Sequence, residues 1–274
     1  MKSKTRSNLT ILTECSIMIA LSAVLSVFKL FEMPYGGSIT LASFLPIVVL
    51  AYRHGTKYGL ASAGVASLIQ MLLGLKNFFY FTTVESFIVL ALFDYVIAFA
   101  VFGLAGVFRK CIKEQNLSMA AGAAMASVLR YLCHVISGAT VWAGLSIPTE
   151  AALLYSLSYN ATYMIPESII LVLTAVYLGS ALDFRYTVPT RIKTESIDKR
   201  CAYLYMGAGL AALAALIWDT IIVFSKLQNC DSGEFTITAL LSVNWLLFGI
   251  VTAAGALISA ALALTAKHLG KNNA

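Results

Sequence analysis

Long apolar runs recur along this chain and restrict its fold more than any motif does. Pro, Gly and charged clusters separate these runs. Most of the runs are close in length to the 20 residues, or about that, which a helix needs to cross a bilayer. We predict helices at 10–31, 39–53 (short), 56–75, 84–109, 117–141, 151–182, 201–225 and 236–266. The chain is 59% hydrophobic and 12% charged, whereas soluble domains average roughly 45–50% and about 25%. These features predict an all-α integral membrane helical bundle, not a cytosolic enzyme or a nucleic-acid binder.

The basic residues predict the orientation of this bundle, because short cytoplasmic loops retain Lys and Arg. Of the 19 Lys and Arg residues, three lie on one predicted side (Lys29, Lys76 and Lys226), and Arg130 lies within a span. The other 15 lie on the opposite side or in the termini. We therefore predict a multi-pass protein of the cell membrane with both termini cytoplasmic, and we attribute the net charge of +6 to topology and anionic lipid.

A polar stretch at 183–200 divides the chain. It carries five basic residues and a proline, as expected of a cytoplasmic linker. The predicted organisation is a six-helix membrane core at 1–182, this basic linker, and an extra two-helix transmembrane tail at 201–274. The five scattered cysteines form no C-x-x-C, so we predict neither a metal site nor a cofactor.

Ionisable residues inside membrane spans are costly and are candidates for function. They are Asp94, Arg130, His134, Glu167 and Asp219, with Asn160 as an uncharged amide. At 1.5 Å per residue, Asp94, His134 and Asn160 each lie roughly 10–15 Å from the outer end of their helix. Three consecutive helices thus place polar groups at one level, which predicts a single pocket open to the outside.

Aromatic residues gather at the same level. The candidates are Tyr80, Tyr95, Trp142, Tyr155 and Tyr159, with Tyr163 on the same face of its helix as Tyr159. Ring faces and a carboxylate hold a cation that cannot donate hydrogen bonds, while His and Asn pair with ring nitrogens and amino groups. The pocket therefore suits a flat, heteroaromatic, cationic ligand.

Each of these residues also has a structural interpretation. Tyr80 and Tyr155 could belong to interfacial aromatic belts, and His134 could be an interhelical hydrogen-bonding group. Asp94 could pair with Arg130, and Glu167 is slightly better explained as a structural partner than as a ligand contact. Asp219 has no assignable partner, and His54 and His268 are expected to be solvated.

Several kinds of chemistry are missing from the sequence. It has no G-x-x-x-x-G-K-[ST] phosphate-binding loop, no H-E-x-x-H zinc pair and no G-x-S-x-G nucleophile elbow. No nucleophile is placed with its base. We therefore do not expect an enzyme, and transport energised by ATP would need another chain.

Four stretches taken in order resemble the thiamine-specific substrate-binding (S) component of energy-coupling factor (ECF) transporters. They are PYGGSITLASFLPIVVLAYRHGTKYG at 34–59, FDYVIAFAVFGLAGVF at 93–108, RYLCHVISGATVWAG at 130–144 and YSLSYNATYMIPE at 155–167. The resemblance covers most of residues 10–182. It implies a six-helix protein that captures thiamine from outside and docks on a transmembrane coupling protein with two ATPase subunits.

The resemblance also assigns roles to individual residues. Asp94 stands where the family has an acidic residue near the thiazolium, with Tyr95 beside it. His134 and Asn160 match positions that hydrogen-bond the ligand, whereas Trp142 and Tyr155 match binding aromatics. The segment 32–40 resembles a lid, and helix 1 resembles the docking surface, in which Ser16 and Ala20 replace two alanines. Asp94 is one methylene shorter than the expected Glu, and the tail lies outside the family pattern.

The leading prediction is therefore a thiamine-binding S component that is not itself an enzyme. The alternatives are an S component for another vitamin or a pyrimidine precursor, a secondary transporter with a proton relay through Asp94, Arg130 or Glu167, and an intramembrane enzyme.

Overall fold

The chain folds into helices over most of its length. A computed structural model describes residues 8–33, 36–143, 145, 149–192, 199–227 and 237–272. The helices are α1 Asn8–Val27, α2 Leu45–His54, α3 Thr56–Leu73, α4 Val84–Lys110, α5 Gln115–Thr140, α6 Ala152–Ala181, α7 Lys199–Leu227 and α8 Trp245–Asn272. Short 3-10 segments occupy Leu75–Tyr80 and Ile237–Ser242. The prediction of an all-α membrane bundle is confirmed.

Six of these helices (α1, α4, α5, α6, α7 and α8) are long and apolar enough to cross a bilayer. A helix pairs its own backbone N–H and C=O groups, and this suits it to the hydrocarbon core, which offers them no hydrogen-bond partners. In α1 and α8 only 17% and 6% of the most apolar window is buried within the protein. The exposed Leu, Ile and Val side chains of these two helices are therefore suited to contact with lipid.

Two short hairpins interrupt the helical pattern. Strand β1 (Lys29–Glu32) pairs antiparallel with β2 (Ser38–Thr40), and β3 (Leu182–Asp183) pairs with β4 (Thr190–Arg191). The predictions that helix 1 runs to residue 31 and that the next begins at 39 were therefore wrong at these ends. The β1–β2 pairing takes both segments, and the turn between them contains Gly36 and Gly37 in left-handed conformations, with φ of +95° and +79°.

The contacts divide the described residues into two compact units, 8–192 and 199–272. In the first, α2 lies at the centre, and its residues Ile47 to Ala51 are each at most 2% exposed. Helix α2 has only ten residues; its apolar side chains pack against α1, α3, α4 and α5. This burial explains how so short a helix remains stable.

In the second unit, α7 and α8 pack against each other. Thr252 of α8 donates a hydrogen bond of 2.7 Å to Asp219 Oδ2 of α7, so the structure supplies the partner that the sequence did not reveal.

Helix α4 is irregular at its centre. It begins as an α-helix at Val84–Val89, widens into a π-helix at Leu90–Val96 and returns to α at Ile97–Ala100. It then tightens into a 3-10 helix at Val101–Lys110. π-helical turns frequently mark functional sites, and this one carries Asp94 and Tyr95.

A buried ionic cluster joins α1 to the C-terminal end of α2. Glu14 accepts two hydrogen bonds from Arg53 Nη2, of 2.8 and 3.0 Å, and one of 3.1 Å from Nε. Arg53 also donates to the carbonyls of Phe184 and Thr187. His54 Nε2 lies 2.6 Å from Glu14, and its side chain is only 3% exposed. The prediction that His54 is solvated was therefore wrong; we call Glu14, Arg53 and His54 the α1 clasp.

Candidate functional site

A cavity of about 150 Å³ lies in the first unit, between the β1–β2 hairpin and helices α3 to α6. Six of the eight binding residues predicted from the sequence line it: Asp94, Tyr95, His134, Trp142, Tyr159 and Asn160. They come from α4, α5, α6 and the turn after α5. The structure thus brings together side chains that lie up to 66 positions apart in the sequence.

Asp94 projects from the π-helical segment and is held by two donors. His134 Nδ1 lies 2.9 Å from Asp94 Oδ1, and Trp142 Nε1 donates to Oδ2 at 2.8 Å. Within the described part of the chain, no Lys or Arg pairs with Asp94. The proposed structural pair of Asp94 with Arg130 is therefore not formed.

Arg130 pairs instead with Glu167 of α6, at 2.6 Å between Nη1 and Oε2. The guanidinium carbon lies 4.7 Å from the centroid of the Phe99 ring, a cation–π geometry. The second oxygen of Glu167 accepts a 2.6 Å hydrogen bond from Thr40 of β2. Glu167 is thus a structural partner, as one of the sequence interpretations held, and it also lines the cavity.

The hydrogen bonds around His134 correspond to one neutral tautomer of its ring. Arg130 Nε donates to His134 Nε2 at 3.3 Å, and a guanidinium nitrogen cannot accept. In this arrangement Nε2 accepts a hydrogen bond and Nδ1 donates to Asp94. Counted with a neutral His134, the ionised side chains of Asp94, Glu167 and Arg130 sum to one negative charge in the deep part of the cavity.

Asn160 is oriented by a dense set of hydrogen bonds. Its side-chain nitrogen donates to the Ser156 carbonyl at 2.9 Å and is within 3.3 Å of the His134 carbonyl. Its oxygen accepts a 2.6 Å hydrogen bond from the Tyr163 hydroxyl. Asn160 is 4% exposed, so its amide has one fixed orientation at the cavity wall.

Aromatic rings form much of the remaining wall. Tyr95, Phe99, Trp142, Tyr159 and Tyr163 all line the cavity. The hydroxyl of Tyr95 donates to the Gly74 carbonyl at 3.1 Å and accepts from Asn77 at 2.9 Å. The ring is therefore fixed in position at the cavity wall.

Two predicted residues lie outside the lining. The Tyr80 ring lies 5.9 Å from that of Trp142, so it supports a lining residue, whereas Tyr155 near the start of α6 is not among the lining residues. Asn77, Thr40 and Phe99 also line the cavity and were not predicted from the sequence. Asn77 left only a weak signal, as a lone amide among apolar and aromatic residues.

The mouth of the cavity carries the opposite charge. Lys29 and Lys76 both bind Glu32 Oε1, at 2.8 and 2.7 Å. These hydrogen bonds, from Lys29 first and Lys76 second, hold the pKa of Glu32 below its ordinary value. The mouth thus has one net positive charge, in a more exposed setting than the deep carboxylates.

The predicted docking residues Ser16 and Ala20 are both exposed on α1. They lie four positions apart and therefore on one face of the helix. That they bind a partner subunit stays a prediction.

Known proteins resemble most of the first unit. A family model described as "Thiamine transporter protein" matches residues 12–187. The thiamine transporter ThiT of Bacillus subtilis is 34% identical over 170 residues, which cover 58% of this chain and 84% of that protein. A solved structure of ThiT from Listeria monocytogenes superposes with a TM-score of 0.53 at 22% identity, covering 64% of this chain and 95% of that one.

Proposed function

The chain belongs to the thiamine transporter protein family, and on that premise we propose that its cavity binds thiamine as the S component of an ECF transporter. It is a transporter subunit rather than an enzyme. The single observation that carries the proposal is Asp94, whose carboxylate is 12% exposed, has no Lys or Arg partner among the described residues and is set within aromatic walls.

Charge favours thiamine as the occupant of this cavity. A carboxylate placed in a low-dielectric site without a counter-ion is costly, and a ligand with a fixed positive charge removes that cost. The thiazolium of thiamine has such a charge and no hydrogen to donate, so ring faces and a nearby carboxylate suit it. The aminopyrimidine of thiamine needs directional partners. The oxygens of Asp94 and Asn160 keep lone pairs that can accept from its amino group, and His134, whose two ring nitrogens bind Asp94 and Arg130, holds Asp94 in position.

A titration that separates charge from shape tests this proposal. Thiamine and 3-deazathiamine, in which carbon replaces the quaternary nitrogen, are titrated into the purified protein by calorimetry. We expect thiamine to bind more tightly by about tenfold or more, since a desolvated cation–π contact and a carboxylate both favour it. Equal affinity for the two compounds, or no binding of thiamine, would contradict the proposal.

The alternative of a pyrimidine precursor or another vitamin is tested by competition. If the cavity recognises the thiazolium, the aminopyrimidine half alone competes weakly against thiamine. Tighter binding of that half than of thiamine would favour the precursor.

Transport itself would depend on partners. We propose that a transmembrane coupling protein and two ATPase subunits supply the energy, with the exposed face of α1 around Ser16 and Ala20 as the docking surface. A proton relay in this chain alone is disfavoured because Arg130, which does not deprotonate in proteins, separates His134 from Glu167. Thiamine uptake that is driven by a pH gradient, into liposomes that contain this chain alone, would overturn this view.

The proposed orientation places both termini and the α4–α5 connection in the cytoplasm, and the cavity mouth outside. Cys111 lies exposed in that connection, beside Lys110 and Lys113. Cys230 lies between the last two predicted helices, on the side predicted to be outside, and is replaced by Ser so that it does not react. In intact cells that express this Cys230→Ser variant, a membrane-impermeant maleimide should fail to label Cys111. Labelling without permeabilisation would reverse the orientation.

A further inference from the structure

Three arginines lie at the end of the first unit that is opposite the cavity mouth, and they differ in their partners. Arg53 is bound by Glu14, and Arg185 is bound through two nitrogens by Asp183. Arg109, in the last turn of α4, forms neither an ion pair nor a hydrogen bond within the described parts of the chain. A guanidinium has five N–H donors, so those of Arg109 are available to an anion.

Close packing between helices places Arg109 at the beginning of α3. The last part of α4, Val101–Lys110, is a 3-10 helix, in which positions three apart lie on one face. Gly103, Gly106 and Arg109 share this face. A Cβ added to either glycine would clash with the backbone of α3 or α2, so both glycines permit the close approach. Arg109 then reaches the α2–α3 turn, where a Cβ added to Gly55 would lie 2.8 Å from Nη1.

The beginning of α3 is suited to an anion. The first N–H groups of a helix have no partner inside it, and Gly55, which precedes α3, has no side chain to supply one. The first turn of α3 has no acidic residue and carries the exposed Lys57. The positive end of the helix dipole thus meets two cations, Arg109 and Lys57, and an anion placed there would be stabilised by all three.

A buried hydroxyl beside these cations also lacks a partner. Tyr52, in the last turn of α2, is 8% exposed, and its hydroxyl forms no hydrogen bond with any residue that the structure describes. The charges of Arg185, Asp183 and Arg109 all act on this hydroxyl, which places it near the unpaired guanidinium. Burial of a hydroxyl without a hydrogen bond costs free energy. An anion bound by Arg109 would remove that cost by accepting from Tyr52.

The surroundings favour the phosphate of a phospholipid as this anion. Arg109 ends a membrane-spanning helix, and such ends lie at the level of the lipid headgroups. Leu60 of α3 and Val107 of α4, each within one turn of Lys57 or Arg109, are 41% and 48% exposed and suit contact with acyl chains. Phosphate oxygens accept paired hydrogen bonds from a guanidinium and further ones from helix N–H groups.

We propose that Arg109, the first turn of α3 and the Tyr52 hydroxyl form a binding site for the phosphate of an anionic phospholipid, at the bilayer surface opposite the cavity mouth. We call it the α3 headgroup site. Arg109 supplies the charge, and the N–H groups of α3 and the Tyr52 hydroxyl supply further donors. The site is separate from the cavity, and it does not depend on which ligand the cavity binds.

Native mass spectrometry of the full chain in a neutral detergent tests the site. Dioctanoyl phosphatidylglycerol is titrated into delipidated protein, with dioctanoyl phosphatidylcholine as a reference that has no net charge. We expect the first phosphatidylglycerol to bind about tenfold more tightly than phosphatidylcholine, and Arg109→Gln to remove this preference. Tyr52→Phe loses only a hydroxyl and should weaken the first phosphatidylglycerol by about fivefold.

Matched variants separate a specific site from attraction to the whole basic surface. Lys110→Gln and Lys113→Gln remove the same charge from exposed side chains within four positions of Arg109, and both should bind phosphatidylglycerol as wild type does. Equal losses in Arg109→Gln and in the two lysine variants would refute the site. Wild-type binding by Tyr52→Phe would refute it too, and this variant decides alone if Arg109→Gln does not fold.

Inorganic phosphate separates a lipid from a free anion. The unfolding temperature in detergent is measured with phosphatidylglycerol, and with sodium phosphate against sodium chloride of equal ionic strength. We expect phosphatidylglycerol to raise the unfolding temperature of wild type but not of Arg109→Gln, and phosphate to have no effect beyond that of chloride. An equal rise with phosphate that is lost in Arg109→Gln would overturn the assignment to a lipid.

Discussion

The α1 clasp and the polar group of the cavity use the same residue types for different ends. Each contains carboxylate, guanidinium and imidazole groups in a largely buried setting. In the clasp, Arg53 faces Glu14 with two nitrogens and satisfies two further carbonyls. In the cavity, Arg130 neutralises Glu167, and Asp94 is left with uncharged donors.

The difference lies in the balance of charge and in the space beside it. The Glu14–Arg53 pair is neutral, and its residues do not line the cavity. The cavity group keeps one net negative charge and borders about 150 Å³ of space. Burial and ion pairing therefore do not identify a binding site by themselves; an uncompensated charge that faces a cavity does.

The largest expected effect is on stability, at the clasp. Arg53→Gln should lower the free energy of unfolding by about 3 kcal/mol, since it removes the guanidinium that binds both oxygens of Glu14 and the carbonyls of Phe184 and Thr187, and leaves Glu14 with His54 alone. Thermal unfolding in detergent measures the loss, with the exposed Lys57→Gln as a control that should behave like wild type. Thiamine affinity of the folded fraction should stay unchanged. If Arg53→Gln is fully stable but no longer binds thiamine, the α1 clasp is not a purely structural group, and its contrast with the cavity group is wrong.

The next effect is on binding, at the cavity. Asp94→Asn should weaken thiamine binding by about 1.5–3 kcal/mol, or roughly 10- to 150-fold in Kd, because a charged acceptor is replaced by a neutral one. Calorimetry should also show that the preference for thiamine over 3-deazathiamine is reduced. Unfolding temperature should change little, since an uncompensated buried carboxylate contributes no ion pair.

Glu85→Gln on the same helix is the matched control for Asp94→Asn. Its side chain lies in the first turn of α4, exposed and outside the cavity lining, so thiamine should bind as to wild type. If Asp94→Asn keeps the full preference for thiamine over 3-deazathiamine, the charge of Asp94 does not select the cation.

The smallest effect concerns Glu32 at the cavity mouth. Its pKa in the folded protein lies below the ordinary value of 4.5, so its ion pairs stabilise the fold above that value and are lost as the pH falls through the lowered pKa. The pairs are more than a third exposed and screened, so we expect less than about 1 kcal/mol. The difference in unfolding temperature between wild type and Glu32→Gln should shrink as the pH is lowered from 7 to about 3. A difference that is constant over this range would contradict the assignment.

Much of the fold followed from the sequence. The eight predicted helices correspond to α1 to α8, because apolar length is a local property and a helix in lipid satisfies its own backbone. The ends of α1 and α2 were wrong because residues 29–32 and 38–40 pair with each other. Pairing across a turn depends on a partner segment, which apolar length does not report.

The sequence predicted which residues form the site better than it predicted which of them bind each other. Helical depth alone brought Asp94, His134 and Asn160 to one level, and the aromatic residues near that level added Trp142. The sequence paired Asp94 with Arg130 in one alternative, whereas the structure pairs Arg130 with Glu167. Rotation of α5 against α4 and α6 decides that choice, and rotation about a helix axis is set by packing between helices.

The sequence by itself determined that this chain belongs in a membrane and which polar side chains reach its interior, because hydropathy and helical rise act along a single chain segment. Only the tertiary structure decided which charge is neutralised, that Glu14 and Arg53 bind each other, and that Thr40 of β2 binds Glu167 of α6. Those outcomes depend on distances between segments far apart in sequence, where a shift of about one helical turn, 5.4 Å, exchanges one partner for another.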